Sequence, residues 1–352
     1  MLKNLFIIAL FMVAASSCDN KLSLNADYTT TPIIFGLLDP NDTIHYIKIT
    51  KTFLGDGNNY DFAKVPDSSY FKQVDAKIIE LNNGVKTGRE WSLYDTTILN
   101  KEEGVFYYPS QKVYIFHEAN LVEDYDYKLE AIFNEGAYSA DATTSLVDGF
   151  EYNSNFLNQS KITFANGSGS YSNLFIRYSE AYNATGYQTR LYINYREFYS
   201  DNTSAVKQLV WSATSNNGKS ESDVNPASPD ASAQVSFSGE GFYQFMAASI
   251  QENENVTSRQ MIDIGVVTEV GHVDLMKYIS VGEPNSSLSQ TTSLFTNINN
   301  GLGLFSSRVL ESRTNMPLLP GSIEELCTGT YTNQLKFCST DPSHTSKFFY
   351  CY

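Results

Sequence analysis

Tyr125-Asp126-Tyr127-Lys128-Leu129-Glu130-Ala131-Ile132-Phe133 is the stretch that decides the fold. Side chains of an extended strand point alternately to its two sides, so Tyr125, Tyr127, Leu129, Ala131 and Phe133 share one face. That face is apolar throughout, and the acidic turn Val122-Glu123-Asp124 precedes it. A period of two over nine residues describes a strand that packs one side on a core.

The same rhythm extends outward in both directions. Pro32 to Leu38 reads as a buried strand, and Thr43 to Phe53 alternates, with His45, Ile47, Ile49 and Lys51 on one face and Ile44, Tyr46, Lys48 and Thr50 on the other. Between them Asp39-Pro40-Asn41-Asp42 is turn chemistry, which makes the pair a hairpin. Val74 to Leu81, Gly104 to Tyr108, Lys112 to His117 and Ala137 to Thr144 are further strand expectations. Strands at this spacing without helical periods between them predict a β-sandwich, with Tyr125 to Phe133 as a late strand of an immunoglobulin-like or fibronectin-like domain. That domain is expected to close near Ser145-Leu146-Val147-Asp148-Gly149.

A second set follows, at Lys161 to Ala165, Leu174 to Tyr178, Tyr187 to Tyr199, Val206 to Ser212 and Met261 to Val273. In the long run from Tyr187, Leu191, Ile193 and Tyr195 take one face and Arg190, Tyr192, Asn194 and Arg196 the other. From Ala213 to Ser232 the chain turns rich in Ser, Asn, Asp and Pro and loses periodicity, as a loop does. Phe242, Phe245, Met246 and Ile250 recur at helical spacing, so Gly241 to Gln251 is predicted to be a helix packed on a sheet, with Leu275 to Ile279 one more short turn. The fold class expected is mainly β: tandem immunoglobulin/fibronectin-like β-sandwich domains with one packed helix in the second. The divisions are residues 31–149, 150–310 and a cysteine-containing C-terminal tail, 311–352.

Composition agrees with a globular β protein. The 352 residues are 42% hydrophobic and 18% charged, with 24 Tyr and 22 Phe against 2 Trp. Tyr and Phe favour pleated, half-buried surfaces. With 24 Lys and Arg against 39 Asp and Glu, the formal net charge is −15. A surface of that sign repels phosphate backbones, which excludes nucleic-acid binding through a basic footprint.

The N-terminus carries an address. Met1-Leu2-Lys3, the apolar run Leu5 to Val13, and Ala14-Ala15-Ser16-Ser17 before Cys18 form a basic, apolar and small-residue series of the kind that is cleaved. Residues 1–17 are expected to be a lipoprotein signal peptide, with Cys18 the lipidated first residue of the mature chain and 18–30 a tether. Acyl chains on Cys18 would hold the chain to the membrane outside the cytoplasm. An ordinary secretory signal with a chance cysteine is the alternative.

Three cysteines then remain, Cys327, Cys338 and Cys351. Outside the cytoplasm two of them can pair and one is left over, and the sequence leaves the pairing open. A Cys3His zinc site with His344 fits by ligand count, but the close Cys-x2-4-Cys pairs of strong zinc motifs are missing. Asp56, Asn58 and Asp61 suggest a loose calcium loop, although Asp61 stands where an EF-hand needs Gly. No catalytic motif and no cofactor motif is found: His45, His117, His272 and His344 are scattered, and Gly301-Leu302-Gly303 lacks the third glycine of a dinucleotide fingerprint. Those two glycines suit a tight turn or bulge leading into a strand, with Arg308 a partner for a carboxylate or a ligand.

Thr31-Pro32-Ile33-Ile34-Phe35-Gly36-Leu37-Leu38-Asp39-Pro40, His45 to Gly55 and Thr296 to Arg308 together resemble uncharacterised lipoproteins of the Bacteroidota, which form domain-of-unknown-function families often encoded near TonB-dependent outer-membrane transporters. The resemblance implies an outer-membrane or cell-surface location, periplasmic or outward facing, and an accessory role in nutrient capture or a transporter complex, and it carries over no site residues. Three functions are therefore weighed. The first is a non-catalytic binding or interaction protein. The second is a carbohydrate-binding module using strand tyrosines such as Tyr192 or Tyr195, and the third a hydrolase with paired carboxylates. Exposed aromatics in a flat row would favour the second, and a cleft with two converging acids the third.

Overall fold

The computed structural model describes residues 30–53, 58–99, 101–215, 232–282 and 295–351. The expectations for the signal peptide, Cys18, the tether up to residue 29, Asp56 and most of the 213–232 loop fall outside them. The first half contributes β1 (Pro32–Leu38), β2 (Ile44–Lys51), β3 (Val74–Asn82), β4 (Val85–Ser92), β5 (Tyr94–Ile98), β6 (Gln111–His117), β7 (Asp126–Phe133) and β8 (Tyr138–Ser145), with short helices α1 (Asn59–Ala63) and α2 (Pro66–Ser69) between β2 and β3. The second half contributes α3 (Ser154–Leu157), β9 (Leu174–Ser179), β10 (Ala184–Tyr199), β11 (Ser204–Ser215), β12 (Ser232–Phe237), α4 (Gly239–Ser249), β13 (Val256–His272), α5 (Val273–Gly282), β14 (Leu302–Met316), α6 (Pro320–Thr328) and β15 (Phe337–Cys338). The chain is mainly β.

One nine-stranded sheet runs through both halves in the order β11-β10-β13-β14-β1-β2-β6-β5, with β15 added to β13. A four-stranded sheet, β4-β3-β7-β8, faces its β1-β2-β6 end. The shared core there includes Ile34, Ile47, Ile49 and Phe116 from one sheet and Ile78, Tyr127, Leu129, Ala131 and Phe133 from the other. In the second half the two-stranded β9-β12 sheet and α4 cover the β10-β13 end, around Ile176, Phe237, Phe242, Met246, Leu191, Ile193 and Ile264. Consecutive residues part company at the junction: Leu146 packs in the first core and Val147 in the second.

β14 joins the halves. Residues 302–307 pair in parallel with β1, and residues 308–316 pair antiparallel with β13. Phe305 therefore sits in the first core and Val309 in the second. Side chains lock the crossing point. Asp39 Oδ2 accepts from Leu310 N at 3.0 Å, Ser307 Oγ accepts from Val147 N at 2.9 Å, and Asn297 accepts from Phe305 N and donates to Phe305 O at 2.9 and 2.7 Å.

Several expectations change. The division at 310 falls inside β14, so residues up to 307 complete the first sandwich. The cysteine-containing stretch 311–352 is built into the second core, where Leu326, Leu335, Phe337 and Phe349 sit. Buried Arg259 of β13 fastens this segment, pairing with Glu197 at 2.8 Å and donating to Leu335 O at 2.7 Å. Gly104 to Tyr108 is a loop rather than a strand; Tyr107 N bonds Ala63 O at 3.0 Å and not a neighbouring strand. Lys161 to Ala165 makes only isolated bridges, to Leu318 and Tyr171, because Ser322 Oγ takes the N–H groups of Phe164 and Ala165 at 2.8 and 3.0 Å. β4 and β5 escape the pattern because their side chains are mostly exposed and polar.

Two predictions follow from the junction. Gly303 has φ +108°, and a Cβ there would collide with the carbonyl of Ile34, its partner in the parallel ladder. Gly303→Ala is expected to lower stability by about 1–3 kcal/mol, read from denaturant midpoints. His272 is buried at the end of β13, its Nδ1 3.3 Å from Asp274 N and 3.4 Å from Ser306 Oγ. Burial pulls its pKa below the usual 6.5, outweighing the opposing pull of Asp274 and Asp126. The folded state thus resists protonation, and the stability this group gives is whole above pH 6.5 and lost as pH falls toward the depressed folded value. Between about pH 8 and about pH 5, His272→Gln should lose less stability than the wild type.

Candidate functional site

β1 is apolar on both faces, which a strand with one side in solvent does not need. Ile34 and Leu38 turn inward to the first core, and Ile33, Phe35 and Leu37 turn outward. On β2 the inward residues are His45, Ile47 and Ile49, and the outward ones Tyr46, Lys48 and Thr50. The hairpin register sets Ile33 beside Thr50 and Phe35 beside Lys48. These outward residues floor a cavity of about 480 Å³.

Its walls come from elements that the hairpin does not contain. Pro66, Ser69 and Tyr70 of the α2 region close one side, and Lys101, Phe106 and Tyr107 of the β5–β6 loop form the roof, with Lys51, Thr52 and Phe53 at the end of β2. Asn58 fixes the start of α1 by accepting from Tyr60 N at 3.1 Å, and Pro66 opens α2, where its missing N–H costs nothing. The roof is pinned by Tyr107 N to Ala63 O at 3.0 Å and by Lys101 Nζ to Tyr107 O at 2.6 Å. A second cavity of about 430 Å³ adjoins it, sharing Lys51, Pro66, Tyr70 and Tyr107 and adding Asp67, Lys72 and Lys112. Size and a carbon-rich lining with few polar groups are those of a small-molecule site, where ~300–1,000 Å³ is usual.

The electrostatics are unusual for so acidic a chain. Lys48, Lys51 and Lys101 line the larger cavity, and among the described residues no carboxylate does. Burial lowers the pKa of Lys101, and the like charge of Lys48 adds to the effect. The Lys101 ammonium lies 5.5 Å from the centre of the Phe106 ring, and Lys51 lies 5.9 Å from that of Phe71. The cavity can therefore take an apolar body and hold an anionic group.

The residues singled out from sequence are not gathered at this cavity. Asn58 is spent as a helix cap and Asp61 lies in the first turn of α1, while Asp56 lies outside the described residues. Among the described residues, no three His, Cys, Asp or Glu side chains cluster as a metal-binding group. Cys338 and Cys351 form a disulfide with Cα atoms 5.1 Å apart, and Cys327 is a buried thiol. His344 Nδ1 instead meets Ser339 Oγ at 2.8 Å, so the zinc set does not form. Tyr195 packs against Phe337 in the second core, turned away from any sugar. Tyr192 lies half-buried on the opposite face of β10. Arg308 pairs with Glu269 at 2.8 Å, the structural role of the two considered for it.

Two sequence signals pointed to the cavity without being read that way. One is the unbroken apolar run of β1. The other is Val105-Phe106-Tyr107-Tyr108, apolar residues that remain partly exposed on a loop.

Comparison with known proteins finds no family model that matches the chain and no curated protein similar to it. Among the described residues, no helix is long and apolar enough to cross a membrane.

The cysteine arrangement gives a direct check. Burial drives the Cys327 thiol up to about 12, so neither access nor thiolate favours reaction. In a Cys18→Ser chain the native protein should titrate no thiol with a chromogenic disulfide reagent. The denatured, unreduced protein should titrate one, and peptide mapping should place it at Cys327.

Proposed function

We propose that this chain is a non-catalytic binding protein of the cell envelope, tethered to the outer membrane through acyl chains on Cys18 and serving capture or uptake beside a TonB-dependent transporter. The observation that carries the binding role is the carbon-lined, lysine-bearing cavity on the outer face of the β1–β2 hairpin. Its polar groups are amines and hydroxyls, which suit retention of a ligand better than general acid and base chemistry by paired carboxylates. The envelope address rests on the signal-like residues 1–17 and on the disulfide, a bond that persists outside the reducing cytoplasm.

We further read the first module as immunoglobulin- or fibronectin-like. Support comes from its two facing sheets, β1-β2-β6-β5 and β4-β3-β7-β8, and from Tyr127, whose hydroxyl accepts from Val122 N at 2.6 Å, five residues upstream. A tyrosine bonded back to the preceding turn in this way is a feature of such sandwiches. Modules of this kind commonly present loops from a rigid frame, and here the β5–β6 loop roofs the cavity.

The anchor and the role are tested separately. Labelling cells with a palmitate analogue should mark the wild-type chain and leave Cys18→Ala unmarked; equal labelling of both would remove the lipoprotein reading. Affinity capture of the lipidated protein from native membranes should recover an outer-membrane transporter. Consistent recovery of none, together with binding on a glycan array, would replace this role with that of a carbohydrate-binding module.

A further inference from the structure

The cavity under the β5–β6 loop combines two demands that few ligands meet together. Ile33, Phe35, Phe53, Pro66 and Phe106 offer carbon on several sides, so the body of the occupant is apolar. Lys48 and Lys101 bring two ammonium groups close enough to repel, and among the described residues no carboxylate lies within ion-pairing distance of either. An ammonium group has three donors, and Lys101 spends one on Tyr107 O. Lys48 and Lys101 are both partly open to solvent and have no acid among the described residues, so an anionic group would complete them in a chain of net charge −15.

We propose that this cavity binds a single-chain anionic amphiphile, a medium-chain carboxylate, with its head between Lys48 and Lys101 and its chain along Ile33, Phe35 and Phe106. This rests on the binding role assigned above and names the ligand class for the same site. Bringing the anion beside Lys101 offsets the mutual repulsion of the two lysines, while the chain displaces water from a surface already apolar. The exposed apolar residues Val105 and Phe106 on the loop over the cavity give a flexible acyl chain further carbon to lie against.

Titration calorimetry on the whole chain carrying Cys18→Ser would test this, with dodecanoate and dodecan-1-ol as probes. Dodecanoate should bind, and more tightly than the alcohol. The Lys48→Ala/Lys101→Ala double variant should weaken dodecanoate by roughly tenfold or more and leave the alcohol unchanged. Thr50→Trp, which fills the floor of the cavity, should abolish both, and circular dichroism would show that the variants stay folded. Equal affinity for acid and alcohol would overturn the anion while leaving the cavity as a binding site. Retention of dodecanoate by Thr50→Trp would overturn the location, and binding of neither probe would overturn the ligand class, the binding role itself being judged by the capture experiment above. Association with anionic phospholipid vesicles without binding of free dodecanoate would equally overturn it, since the bilayer would then be the partner.

Discussion

The parallel pairing of β1 with the first six residues of β14 is the constraint on which the remaining architecture rests. β1 lies near the beginning of the described chain and β14 near its end, so the pairing closes a loop of more than 260 residues. Loop-closure entropy grows only with the logarithm of length, which makes such a contact affordable in stability and slow to form. Once it exists, the second half of β14 is aimed at β13 and the two sheets become one. Both cores then sit on a single continuous ladder, and Leu146–Val147 and Phe305–Val309 mark where the chain passes from one to the other.

Buried charge is met by side-chain networks in both modules. Glu80, nearly inaccessible on β3, receives Arg89 at 2.9 Å, Thr87 at 2.7 Å and Tyr127 at 3.3 Å, and Arg89 reaches on to Glu118 at 2.9 Å. That network spans both sheets of the first module, joining β3, β4 and β7 to the segment after β6. In the second module Arg259 and Glu197 pair between neighbouring strands β13 and β10, and carbonyls of Leu335 and Gln251 take two more guanidinium donors. Arg259 and Glu197 are buried on both sides, and removing one would leave the other stranded at a cost of about 3–5 kcal/mol, whereas Arg89 is partly open to water and its loss or that of its partner is screened.

The cavity follows from the same frame. β1 is central in the sheet, paired on both edges, and its outer face would present Ile33, Phe35 and Leu37 to water if nothing lay over it. α2 and the β5–β6 loop cover one end of that face, and α5 approaches the other, where Tyr278 meets Phe35 with ring centres 5.7 Å apart. Coverage by loops and a helix leaves gaps that a second sheet would have filled, and those gaps form the cavity.

Much of the strand inventory was legible from the alternation of residues, because a half-buried strand imprints its two faces on the sequence at a period of two. Tyr127, Leu129, Ala131 and Phe133 are core residues as their spacing required, and Pro32–Leu38, the 239–249 helix and the long β10 lie where their patterns put them. β4 and β5 were illegible because exposed edge strands carry no apolar face. Val105 to Tyr108 misled for the opposite reason, being apolar without belonging to a sheet. The sequence by itself determined a β-rich chain with three cysteines near its end. Only the tertiary structure decided that β14 divides between two sheets, that Cys338 pairs with Cys351, and that Lys48 and Lys101 share a cavity. The reason is physical: local periodicity records which side of a strand is buried, whereas long-range pairing is made by backbone groups common to every residue and by side chains that meet only after the chain has closed on itself.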